Sequence, residues 1–191
     1  WAIADEFRRI GQPDAATQLI GKLIIDMTPE QFQSNEPGLD ALYFLCSTPT
    51  KEPPPTLMTI INRLAPMGAT DLDPSVISLL LLRAWDLGHT GGHPEAALQL
   101  FQRLQPSLGR FGTNEHLPRW SRIYRGETLR LLGRHDESVQ LLERQIEMDR
   151  NDPSISDEYR DYAIEKLAET YDEMGRTDEA ASIRQTITQN Q

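Results

Sequence analysis

Four decapeptides in this chain open on glycine and write out one pattern: GQPDAATQLI from Gly11, GHPEAALQLF from Gly92, GRHDESVQLL from Gly133 and GRTDEAASIR from Gly175. The last two gaps between these glycines are 41 and 42 residues, and the first is 81, close to twice that. A fixed period of about 20 to 50 residues marks stacked repeats, in which no single unit can bury its apolar face alone. The spacing therefore predicts one further, degenerate unit between residues 30 and 70. It makes the 191 residues a short array of like parts.

Each unit reads as two helices about its glycine. Ahead of Gly175, Tyr159, Tyr162, Ala163, Leu167, Tyr171 and Met174 recur at helical spacing; after it, Ala180, Ile183 and Ile187 do the same. A glycine between two such stripes can end the first helix in the left-handed conformation, and the acids that follow suit the first turn of the next. Five residues past each glycine stands Ala16, Ala97, Ser138 or Ala180, small enough for the two helices to approach closely. Nine residues past it stand Ile20, Phe101, Leu142 and Arg184, three apolar and one charged, which leaves the last helix with less to cover it. The degenerate unit fits residues 37–66, where PGLDALYFLCS and TLMTIINRLAPMG keep the two stripes while TPTKEPPP replaces the glycine hinge.

A first helix with small residues and an aromatic, then glycine, then acid with alanine, then an apolar residue resembles the tetratricopeptide repeat. The matching residues are Leu167, Ala168, Tyr171, Gly175 and Ala180; Gly126, Leu129, Gly133, Ser138 and Leu142; Gly92, Ala97, Phe101 and the closing Pro106; and Trp1, Ala4, Phe7, Gly11 and Ala16. The period departs from the family's, which is about 34 residues. The extra length falls in connections such as RLQPSLGRFGTNEHLPR and EMDRNDPSISD or in longer first helices. The resemblance implies an all-α fold: a right-handed α-α superhelix, or solenoid, of about five helix-turn-helix hairpins. Its units would run approximately 1–27, 37–66, 74–106, 117–149 and 156–189 within a single domain over 1–191. The start at Trp1 rather than Met leads us to expect a piece of a longer protein.

Such arrays bind a partner's peptide or helix along the concave side, lined by the first helix of each unit. The resemblance therefore puts Arg83, Asp86, Trp120, Tyr124, Glu127, Arg130, Glu165, Glu169 and Asp172 forward as partner-binding residues, turned away from the paired helix. Trp120 and Tyr124 form an i,i+4 aromatic pair beside Arg119, Arg122 and Arg125, and aromatics with arginine are the commonest binding hot spots. The alternative for Trp120 is that it covers the preceding unit. The chaperone-type carboxylate clamp of the family does not transfer, because these stretches hold no asparagine and only Lys166 as lysine.

Charge narrows the partners. The net charge of −10 argues against nucleic acid and anionic membrane, both of which favour a basic surface. The longest apolar run, VISLLLL, is far short of the about 18 to 20 residues a spanning helix needs. Within the chain, seven arginines face two acids between Arg103 and Arg134, whereas fifteen acids face six bases from His135 onward. Such asymmetry reads first as a solvated surface with i,i+4 pairing; if the inner face alternates from arginine-rich to acid-rich, the expected ligand carries both signs.

No enzyme chemistry assembles. His89 and His93 have a metal-like spacing, but a turn separates them and no further ligands complete a set. GHTGGH lacks the Lys-Ser/Thr ending of a phosphate loop. Glu165, Glu169, Asp172 and Glu173 read as a solvated helix face. We expect no catalytic residue, metal or cofactor. The expected role is a protein–protein interaction scaffold, with a helical regulatory module packed in cis against a catalytic or DNA-binding domain as the alternative. End-to-end self-association depends on whether Trp1 and Ile183 expose apolar ends.

Overall fold

The computed structural model describes residue 6, residues 9–24 and residues 74–188. Every regular element among them is a helix: α1 (Pro13–Ile24), α2 (Pro74–His89), α3 (Pro94–Leu108), α4 (His116–Leu131), α5 (His135–Arg150), α6 (Asp157–Glu173) and α7 (Thr177–Thr188). The degenerate hairpin expected at 37–66 lies outside the described residues, as do Trp1, Ala4 and Phe7. The chain divides into two compact units, Trp1–Arg110 and Phe111–Gln191.

The four repeated glycines do the same work. Gly11, Gly92, Gly133 and Gly175 have φ between 70° and 76°, and the described residues hold no non-glycine with positive φ. An L side chain there would cost about 1–2 kcal/mol, so the sequence spends glycine where the chain must reverse. At Gly133 the Arg134 N–H reaches back to the Leu129 carbonyl at 2.9 Å and the Gly133 N–H to Arg130 at 2.9 Å. Arg176 and Gly175 repeat this pair of bonds to Tyr171 and Asp172 at 2.9 and 3.0 Å, which consumes the carbonyls that a helix end leaves open. At Gly92 the loop is one residue longer, and the returning bond runs from His93 to Leu87 at 2.9 Å.

The small residues sit where the helices touch. Ala16, Ala97, Ser138 and Ala180 are all fully buried. Ser138 Oγ donates to the Gly126 carbonyl at 2.8 Å, so α5 lies against the backbone of α4. A Cβ on Gly126 would stand 2.8 Å from Leu142 Cγ, which is why that helical position is glycine.

In unit 1, α2 packs on α3. Val76, Ile77, Leu80, Leu81, Ala84 and Leu87 meet Ala97, Leu100, Phe101 and Leu104 in its core. Pro106 does not close α3: the helix runs two residues past it to Leu108. Placed one turn from the end, the missing N–H costs α3 a single bond, and the Pro106 carbonyl still accepts the Gly109 N–H at 3.2 Å.

In unit 2, α4 pairs with α5 and α6 with α7, while α6 also packs on α5 and α4. Ile123, Leu142, Ile146, Ala163, Ile164, Leu167, Ala168 and Ala180 form one shared core, with Ile183 and Ile187 partly buried against it. The two hairpins of unit 2 thus share one seam. None of the described helices is long and apolar enough to cross a membrane.

Candidate partner-binding face

Helix α6 carries two stripes. Ala163, Leu167 and Tyr171 point into the core, while Tyr159, Tyr162, Lys166, Glu169 and Glu173, again at steps of three and four, reach across to α4. Trp120 is the hub of this second seam. Its ring lies 5.0 Å from Tyr124, 5.4 Å from Tyr162 and 5.7 Å from Tyr159, edge-on to the last two. Trp120 therefore covers the following hairpin, through contacts that no i,i+4 rule supplies. Tyr159 keeps 40% of its surface open at the edge of the cluster.

Below the rings the seam becomes ionic. Glu127 is 1% exposed; the Tyr162 hydroxyl donates to both its oxygens at 3.3 Å and Lys166 Nζ lies 3.3 Å away. Lys166 also holds Glu169 at 2.9 Å, and Arg130 bridges Glu169 at 3.3 Å and Glu173. Burial and the Glu127 charge push the Tyr162 phenol well up, and the same two causes raise Tyr124. Burial pulls the Lys166 ammonium down, but its bond to Glu169 and the charge of Glu127 together outweigh that and leave it above its ordinary value.

Five of the nine expected residues meet in this seam: Trp120, Tyr124, Glu127, Arg130 and Glu169. Two more, Glu165 and Asp172, lie along the other edge of α6, and they do not turn away from the paired helix. Arg184 of α7 donates to Glu165 at 3.0 and 3.2 Å and to Asp172 at 2.8 Å. Its hydrogen bond to Asp172, then that to Glu165, raises the guanidinium's pKa. The charged residue at the position of Leu142 thus makes a polar closure in place of an apolar one. Arg83 departs furthest from expectation. It is 1% exposed, because α2 is buried round a wider arc than a single stripe, and its guanidinium pairs with Asp86 one turn on. Arg83 and Asp86 belong to unit 1.

Arg119 and Arg122 of the arginine run are engaged within unit 2. Arg119, 2% exposed, donates Nε to Asp149 Oδ1 at 2.9 Å and Nη2 to Asp149 Oδ2 at 3.0 Å, with a further bond from Nη2 to the Tyr159 carbonyl at 2.6 Å. Gln145 donates to Asp149 at 2.6 Å and to Asn114 at 3.0 Å, and Asn114 donates to Asp152 at 3.0 Å. Arg122 bonds Gln145 and the Thr113 carbonyl. This knot ties the loop before α4 and the loop after α5 to the start of α6. Sequence reading missed Asp149, Gln145 and Asn114, each of which has a partner 30 or more residues away. The one signal available was a carboxylate, Asp149, in the last turn of α5, where the helix dipole disfavours it.

Comparison with known proteins follows this geometry. A tetratricopeptide repeat family model matches residues 126–155, from Gly126 through the Gly133 hinge and α5. The crystal structure of the nearly identical TPR-like repeats of a candidate kinesin light chain from Podosopora anserina superimposes with a TM-score of 0.61 at 17% identity, covering 98% of this chain and 90% of that one. A second crystal structure of those repeats gives 0.60 at 16% identity, with the same coverage. The fold of this chain is that of a tetratricopeptide-like helical repeat. No curated protein matches the sequence. Tetratricopeptide-like repeats are in general scaffolds for protein interaction, and the seam between α4 and α6 joins the first helices of two successive hairpins.

Proposed function

We propose that this chain is a non-catalytic scaffold that holds a segment of another protein against the α4–α6 face of unit 2. The observation that carries the reading is the aromatic cluster of Trp120, Tyr124, Tyr159 and Tyr162, gathered from two hairpins onto one side and left partly open at Tyr159. Aromatic rings offer a large contact area at small entropic cost, and hairpins already packed on a shared core need no ordering on binding. Glu127, Arg130 and Glu169 supply polar contacts beneath the rings, and Glu165 and Asp172 flank them.

The test is selection of a random peptide library on the full chain, followed by measurement of the selected peptides on Tyr159→Ala. A hot-spot aromatic lost from such a face costs about 2 kcal/mol, roughly 30-fold in Kd. Peptides that bind Tyr159→Ala and Trp120→Phe as tightly as the parent chain would refute the face as the docking surface.

A further inference from the structure

α6 also carries a line of positions at 158, 161, 165, 169 and 172, of which 169 reaches the seam to α4 and 165 and 172 meet Arg184 of α7. Every residue on it is a carboxylate: Glu158, Asp161, Glu165, Glu169 and Asp172. The cations whose contacts fall on this face are Arg130, Lys166 and Arg184, and each is already shared between two carboxylates. Arg119 and Arg122, which the sequence would offer as a basic counterpart, are taken up by Asp149 and Gln145 of α5 and by the Tyr159 and Thr113 carbonyls. With Arg119, which lies over the rings and pairs with Asp149, and Arg160, which neighbours Asp161 and pairs with Asp157, nine carboxylates, Glu127 and Glu173 included, thus face five cations beside the aromatic cluster.

We propose, resting on the docking face described above, that the segment it receives is basic, with lysine or arginine interleaved among apolar side chains, and that it is not of mixed sign. The guanidinium of Arg119 already lies 5.5 and 5.2 Å from the ring centres of Trp120 and Tyr159, so a cation of the segment would use the part of Tyr159 that stays 40% exposed. The carboxylate stripe then complements the following turns of the segment, while an acidic residue would meet like charge along the whole of α6.

The experiment uses labelled peptides of about 15 residues with equal apolar content, carrying only lysines, only glutamates, or both, titrated by anisotropy against the full chain at physiological salt. Two double variants remove the same charge: Glu158→Gln with Asp161→Asn on the stripe, and Asp136→Asn with Asp178→Asn on the first turns of α5 and α7. The lysine peptide should bind tightest and weaken about 3-fold or more with the first pair only, the size expected for two exposed charge contacts. Equal weakening by both pairs would reduce the effect to net charge and overturn the proposal. A mixed or acidic peptide that binds as well or better, and is lost on Tyr159→Ala, would overturn the sign while leaving the docking face standing. Binding of any peptide that ignores Tyr159→Ala and both double variants would overturn the face itself, and so would no binding at all.

Discussion

Asp149→Ala should be among the most damaging single substitutions in unit 2. The carboxylate is fully buried and accepts two bonds from Arg119 and one from Gln145, at 2.9, 3.0 and 2.6 Å. Removing it strands a guanidinium that is 2% exposed, with only the Tyr159 carbonyl left among these bonds. A buried ion pair broken on one side costs about 3–5 kcal/mol, because the remaining charge stays desolvated. Arg119→Met should cost a comparable amount for the mirror reason. Arg119→Met with Asp149→Leu should recover much of the loss, since two apolar side chains leave no charge to desolvate. The contrast is Glu137→Ala. Its pair with Arg134 has equally short bonds, 2.6 and 2.7 Å, but both partners stand in water, and the substitution should barely move stability. Urea unfolding, followed by Trp120 fluorescence in a Trp1→Phe, Trp85→Phe background, reads unit 2 alone. A loss at Asp149→Ala no larger than at Glu137→Ala, or a double replacement as damaging as the two singles added, would refute the argument.

Three further outcomes follow from the packing and the titrations. Gly133→Ala should cost about 1–2 kcal/mol through its positive φ and resist rescue by any neighbour, whereas Gly126→Ala should overpack by about 1–3 kcal/mol and be relieved by Leu142→Ala; urea midpoints of the singles and doubles separate the two. Ala180→Leu, at a fully buried crossing, should destabilise by about 1–3 kcal/mol in the same assay. Burial and the hydrogen bond to Glu143 push the Tyr171 phenol up to about 12, so the unfolded chain ionises first: this contribution is intact below about pH 10 and is lost as pH rises toward 12. Tyr171→Phe should flatten that part of the stability profile, and ultraviolet titration of the tyrosinate band should lose the component near pH 12 while the still higher one of Tyr162 remains.

The hairpins were legible because a repeated job leaves a repeated letter. Each reversal needs positive φ, each crossing needs a small side chain, and each inner position needs an apolar one, so Gly133, Ser138 and Leu142 could be found by comparing copies within the chain. Pro106 misled because proline was taken as a stop, although one turn from a helix end it removes only one bond. Arg83 misled for a related reason: periodicity assigns a long side chain to the polar face, but a stem that packs and a head that pairs with Asp86 let it be buried.

The candidate face was half legible, and the division has a physical origin. Trp120 and Tyr124 stand out by type and local spacing, whereas the partners that determine what they do, Tyr159 and Tyr162, lie on the next hairpin. The partners of the arginines were out of reach for the same reason. A run of like charge looks like an open patch until the carboxylates that neutralise it are brought in from a distance, as Asp149 is for Arg119 across 30 residues. Positions that vary between copies carry the distinction. Where Leu142 fills a seam, Arg184 ties Glu165 and Asp172, and that exchange keeps one edge of α6 polar and its carboxylates in line. The repeat thus builds the wall from what its copies share, and the sign of the ligand we propose for it rests on what they do not.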